Sequence, residues 1–525
     1  MQRTLVGLIA SVLIATACGT GTPAGQASPG TVATATPTQA GPRLLVIAGA
    51  GAPNSLDAHD ISHTLTFGIL SDSIYDSLLK FNAKSEFEPR IAESIETSSD
   101  GKTWTLRLKK GVTFHDGTPL DAAAVKYNLD RLAASKDPDL GRRLAQGTKI
   151  SDFASTEVVD VSTVRLNLKA PSAVVRSALV IGLVSPAGVQ KYGKDFATNP
   201  VGSGPYRFSE WVTGDRIVME RNPDYWGPKA YFDKITYRLV PDASTRVAMI
   251  QTGEADIATT LGPEEIAQLK GNEKLELLIQ PSTRVMHIGI NVTKPPFDNV
   301  LVRKALNLAV DKEAIVKSVL AGFGRVADSP AADGQVGYGP GVKPYGFDQA
   351  QAKRLLAEAG YPNGFKTTLM VPNGRYFRDK EIAEAVQGYL KQVGVDVTLQ
   401  VQEYATHIAK LREPAGNYTL YLMSWSSSSG DAGVQFTQAF TCASIPTFNW
   451  NRLCDKELDT LILDANATVD PAARIAKNTV IQQRLMDRAA WLYLTIDNQA
   501  YALKQGLKGV FVIPQEMMFV REAHY

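Results

Sequence analysis

IAEAVQGYLKQVGVDVTLQV, residues 382–401, changes its apolar period halfway along. Ile382, Val386, Leu390 and Val393 recur every three or four positions, the spacing of one helix face, and Gly394 then stops the pattern. Beyond it Val395, Val397, Leu399 and Val401 alternate with polar residues, the period of a half-buried strand. A helix passed through a tight turn into a strand predicts an α/β lobe.

The same alternation of periods extends in both directions. Asp348 and Gly360 bracket a helix carrying Ala352, Leu355, Leu356 and Ala359. Upstream, Asp298 precedes a helical face of Val302, Ala305, Leu306 and Ala309, which predicts that Arg303, Lys304 and Lys312 point mostly outward. Downstream, Asp470-Pro471 opens another helix, because proline in the first turn loses no needed hydrogen bond. Toward the N-terminus, Trp104, Leu106 and Leu108, then Val164, Leu166 and Leu168, alternate as strands do, and Leu44–Ile47 is a short apolar strand ahead of a turn-rich loop through Asn54, Ser55 and Asp57.

At 525 residues and 44% hydrophobic, the chain can bury two or three globular units. Its 55 lysines and arginines against 53 aspartates and glutamates leave no basic surplus for gripping phosphate backbones, so nucleic acid is not an expected partner. Arg3, the apolar run Leu5–Ala15 and Ala15-Thr16-Ala17-Cys18 read as a signal peptide over residues 1–17, too short to span a bilayer. Small residues before a cysteine resemble a bacterial lipobox, which implies acylation of Cys18; plain secretion is the alternative. Residues 19–42 are nearly all Gly, Thr, Pro, Ala, Ser and Gln and predict a flexible tether reaching roughly 25–30 Å. In an oxidising exterior the remaining cysteines, Cys442 and Cys454, are expected to pair, with two free thiols as the alternative.

Catalytic patterns are sparse. The sequence holds no G-x-x-x-x-G-K-[ST] and no H-E-x-x-H, and Val201-Gly202-Ser203-Gly204-Pro205 lacks the third glycine of a dinucleotide fingerprint and reads as a turn. His59 and His63 could share a helix face, but an exposed loop explains them and Asp57 and Asp60 as well, so no metal site is assigned. No cofactor or enzymatic activity is expected.

The order of motifs resembles the family 5 extracellular solute-binding proteins. Asn54-Ser55-Leu56-Asp57, Ile74-Tyr75-Asp76-Ser77-Leu78-Leu79, Glu88-Pro89-Arg90-Ile91-Ala92-Glu93-Ser94, Asp100–Trp104 and Lys110–Gly117 resemble successive family stretches. Asn199–Tyr206, Asn222-Pro223-Asp224-Tyr225-Trp226, Gln251–Asp256 and Phe297–Ala305 continue in the same order. The stretch 74–79 looks like the family's "IYDGLL" helix. The resemblance implies a periplasmic-binding-protein-like α/β fold of two lobes and three domains around a cleft that closes on ligand. Its expected segments are 43–82, 200–290 and 491–525 for lobe 1, 83–199 for an inserted domain, and 291–490 for lobe 2. It also implies delivery of a captured solute to an ABC permease and an extracytoplasmic, monomeric protein.

Typical peptide binders of this family place an aspartate three residues after a tryptophan; here that position is Ser428. Trp425-Ser426-Ser427-Ser428-Ser429-Gly430-Asp431-Ala432 is instead similar to a stretch of the glutathione-binding subgroup. A small peptide or glutathione-like ligand is therefore expected. Trp425 would lie against its backbone, Ser427 and Ser428 would supply hydroxyls, and Asp431 would take the ammonium. Arg375 and Arg284 would take carboxylates, with Asn54 and Ser55 in the first loop as further candidates. Asp431 as a helix cap, Arg375 as a surface ion-pair partner and Trp425 as core are the alternatives. Nickel chelates, opines or glycosides are the alternative solutes, and a secreted hydrolase the alternative class.

Overall fold

The computed structural model describes residues 41–60, 64–134, 153–427 and 429–525. The signal segment, Cys18, the tether through residue 40, His63 and Ser428 lie outside them.

One mixed sheet runs through the body. From edge to edge its strands are Val395–Gln402, Phe365–Pro372, Leu420–Trp425, Leu275–Ile290, Trp491–Lys504, Ile257–Ala258, Leu44–Gly49, Lys234–Leu239, Arg216–Arg221 and Tyr206–Val212, with Gly324–Val326 beside Trp491–Lys504. Leu275–Ile290 and Trp491–Lys504 are its longest members, 16 and 14 residues, and pair antiparallel from Leu275↔Lys504 to Gly289↔Trp491. At roughly 3.3 Å per residue such a pair is on the order of 50 Å long, more than one core needs. Its register shifts between Pro281 and Val285, where a proline cannot donate to the ladder.

Either end of this ribbon belongs to a different core. Tyr501 and Leu503 pack with Leu45, Ile47, Tyr75, Tyr237 and Met518. Met286, Ile288, Leu492 and Leu494 pack instead with Val302, Leu306, Leu369, Val386, Leu390 and Leu422. A third core, from Leu78 to Leu183, lies against a separate four-stranded antiparallel sheet in the order Ala92–Thr97, Thr103–Leu108, Thr163–Leu168, Phe153–Asp160. The chain thus forms two α/β lobes joined through shared strands, plus an inserted α+β unit.

The period change at Gly394 separates the helix Asp379–Gln392 from the strand Val395–Gln402, with Gly394 at φ +90°. Asp348 caps Gln349–Glu358 and Asp470 caps Pro471–Arg488, as the sequence indicates.

Two expectations are corrected. Arg303 and Lys312 are buried: Arg303 donates to the carbonyls of Phe297, Asp298 and Arg488, and Lys312 to those of Asn307 and Tyr345. Carbonyls in loops and in the last turns of helices supply the acceptors that make burial of these cations tolerable. The stretch 74–79 is no helix. A short helix ends at Ile74, Tyr75 turns extended at ψ 153°, and a strand begins at Leu79.

Candidate functional site

Strand Phe365–Pro372 runs parallel to Val395–Gln402 on one side and to Leu420–Trp425 on the other. The chain leaves the middle strand toward one neighbour and returns to the other, so the crevice beyond their carboxyl ends is a topological switch point, where open α/β sheets take ligands. Residue parity sets the two faces. Leu369, Val371, Leu420 and Leu422 pack under the helix Asp379–Gln392, while Met370, Tyr421 and Met423 pack on the other face with Leu411 of the helix Tyr404–Leu411.

Each of the three strands delivers a side chain to that edge. Arg375 follows the first, Tyr404 the second, and Trp425 ends the third. Together with Tyr376, Arg284 and Trp450 they line a cavity of about 270 Å³. The loop bearing Arg375 is held by one carboxylate: buried Asp379 accepts from the backbone N–H of Gly374 (3.3 Å), Arg375 (2.8 Å) and Tyr376 (3.0 Å). The Arg375 guanidinium lies 5.1 Å from the Tyr404 ring and 5.4 Å from that of Tyr376. Among the described residues no carboxylate pairs with it.

Arg284 faces the same cavity already forked onto Glu516, Nε to Oε1 at 3.0 Å and Nη2 to Oε2 at 2.8 Å. Burial alone would lower its pKa, but the charge and hydrogen bonds of Glu516 more than offset this and raise it. Behind this pair Asp497 is held up to about 7, first by burial and then by the negative charge of Glu516. Trp425 packs edge-on to Trp450 (5.2 Å) and Phe448 (5.8 Å). Both belong to the loop closed by the Cys442–Cys454 disulfide, whose Cα atoms are 4.6 Å apart.

Of the sequence candidates, the fold therefore brings Arg284, Arg375 and Trp425 together. Asp431 lies elsewhere. Its Oδ1 caps the helix Ala432–Phe440 through the N–H groups of Gly433 and Val434, and Arg474 forks onto both oxygens at 2.8 and 2.6 Å. With 1% of its surface exposed, this carboxylate has its lone pairs committed and has the capping role that was the alternative reading. Ser427 is equally buried, its hydroxyl bonded to Ser429. Asn54 and Ser55 sit in the first loop, where Ser55 accepts from the N–H of Asp57 and Arg131 ties Asp57 to His59.

Tyr376, Tyr404, Phe448, Trp450 and Glu516 were not read from the sequence. Tyr404 carried a signal, since it follows the alternating strand 395–401 where the carboxyl-end rule places ligand contacts. Glu516 carried none.

A family model for bacterial extracellular solute-binding proteins, family 5 Middle, matches residues 86–446. The glutathione-binding protein of Pectobacterium atrosepticum is 35% identical over 489 residues, 91% of this chain and 93% of its own. HbpA2 from Haemophilus parasuis superposes with TM-score 0.81 at 29% identity, over 92% of this chain and 99% of its own. The periplasmic binding protein DppA of Helicobacter pylori, solved with the peptide STSA, gives TM-score 0.77 at 26% identity, over 91% and 98%. With similarity covering 91% of the chain in sequence and 92% in fold, this protein belongs to the bacterial extracellular solute-binding proteins of family 5, which serve ABC importers.

Proposed function

We propose that the protein captures a small peptide with free carboxylates, of the glutathione type, and delivers it to an ABC permease. The observation that carries this reading is Arg375, a guanidinium framed by two tyrosine rings at the mouth of a pocket, with no carboxylate partner among the described residues. Its planar fork suits a ligand carboxylate. Trp425, Tyr376 and Tyr404 offer flat faces for a peptide backbone. Ser428 would add a hydroxyl. Acylated Cys18 and the tether that follows would hold a monomeric body at the membrane.

Likeness to a glutathione-binding relative and to a structure solved with a tetrapeptide supports this reading. The test is calorimetric titration of the chain from Gly19 onward with glutathione and di- to tetrapeptides. Saturable micromolar glutathione binding is expected, weakened at least tenfold by Arg375→Ala, since a charge-assisted bond contributes about 1.5–3 kcal/mol. Binding of ordinary peptides alone would make this a general peptide receptor. No binding would move it to another solute class.

A further inference from the structure

A second cavity, about 560 Å³ against the 270 Å³ beside Arg375, opens where the inserted unit meets lobe 1 and the C-terminal segment. We propose that it is a binding site for a small anion of at least two charges that carries a ring. This inference does not depend on the peptide reading.

The cavity has an aromatic floor on a neutralised base. Asp76, fully buried, accepts from Trp226 Nε1 at 2.8 Å, Tyr225 Oη at 3.2 Å and Arg521 Nη2 at 2.9 Å. Arg90 is likewise matched by Asp72 at 2.5 Å. These internal pairs cancel the buried charges and fix Tyr225 and Trp226 with ring centroids 5.4 Å apart. Tyr231 adds a third ring to the lining.

The rim is cationic and largely unmatched. Lys109 holds its ammonium 5.0 Å from the Trp226 ring, Lys229 is exposed, and Lys80 reaches Glu88 only at 3.8 Å. Among the described residues no carboxylate pairs with Lys109 or Lys229, and Glu522 is the one carboxylate among the described lining residues. Like charges gathered around a concavity raise its potential, and a bound anion relieves it. Flat π-faces beneath those charges select a ring over a bare ion.

The experiment is calorimetry of the chain with phenyl phosphate and phthalate, against inorganic phosphate and benzyl alcohol. Saturable binding of phenyl phosphate, phthalate or both is expected, and whichever binds tighter distinguishes a phosphate-bearing ligand from a carboxylate-bearing one. Affinity should fall as salt rises, because rim charges are screened. Lys109→Met with Lys229→Met should weaken binding at least tenfold with an unchanged melting temperature, while Arg375→Ala leaves it as it was. Absence of saturable binding overturns the proposal. So does inorganic phosphate or benzyl alcohol binding as tightly as the ring dianions, indifference to the lysine changes, or equal loss in Arg375→Ala, which would put the anion in the peptide cavity.

Discussion

Both oxygens of Asp431 are occupied, one capping the helix Ala432–Phe440 and both meeting the buried fork of Arg474. Asp431→Ala would strand that guanidinium without its counter-charge and cost about 3–5 kcal/mol, as removal of one partner of a buried pair does. A urea denaturation curve should show the midpoint falling sharply. Arg375 is the opposite case: exposed and free of carboxylate partners among the described residues, it should lose ligand affinity on truncation without loss of stability. Its positioning residue is Asp379, which gathers three backbone amides of the Arg375 loop. In Asp379→Ala that loop is released, and glutathione affinity should drop severalfold by calorimetry although Arg375 itself is intact.

At the scale of elements, the stapled loop Cys442–Cys454 spans 12 positions and carries Phe448 and Trp450 against Trp425. Closing a loop of that length stabilises by about 3 kcal/mol in the chain-entropy estimate. The double change Cys442→Ser, Cys454→Ser should therefore lower unfolding free energy by that order. It should also weaken ligand binding, because two aromatic walls of the pocket ride on the loop; unchanged affinity in the double variant would show that the walls hold without the staple. The pairing of these cysteines was legible in their number and in the oxidising exterior that the signal-like stretch at residues 1–17 led us to expect. Their place at the pocket was not, since it depends on Leu420–Trp425 ending beside a loop two dozen residues further on.

For the molecule as a whole, four histidines among the described residues set the response to acid, His59, His287 and His407 buried and His115 half-buried. Burial holds His59, His115 and His407 down at about 4 and His287 at about 3, against an ordinary value near 6.5. Below pH 6.5 the unfolded chain binds protons that the folded chain refuses, so stability is complete above about 6.5 and declines as pH falls toward 4. Asp497 acts in the other direction: raised to about 7, it contributes most below the ordinary carboxylate value of about 3.9 and loses that contribution as pH rises through 7. One carboxyl offsets one histidine between pH 4 and 7, so the net effect is destabilisation by acid. Urea midpoints at pH 7.5, 6 and 5 should fall in that order; a flat series would mean the histidines titrate normally in the fold.

What the sequence determined by itself is what short-range periodicity encodes. The switch of period at Gly394, the caps at Asp348 and Asp470, and the order of family stretches are properties of neighbouring residues, so α/β class and family were both readable. Tertiary structure decided the rest. Which side chains share a cavity follows from the sheet order that sets Val395–Gln402, Phe365–Pro372 and Leu420–Trp425 side by side, and spacing along the chain does not carry that order. Asp431 read as the ligand's ammonium partner and Arg303 as an outward charge until folding supplied Arg474 to one and three carbonyls to the other. A charge goes inside only where distant segments bring partners to replace its water, and no local pattern announces those partners.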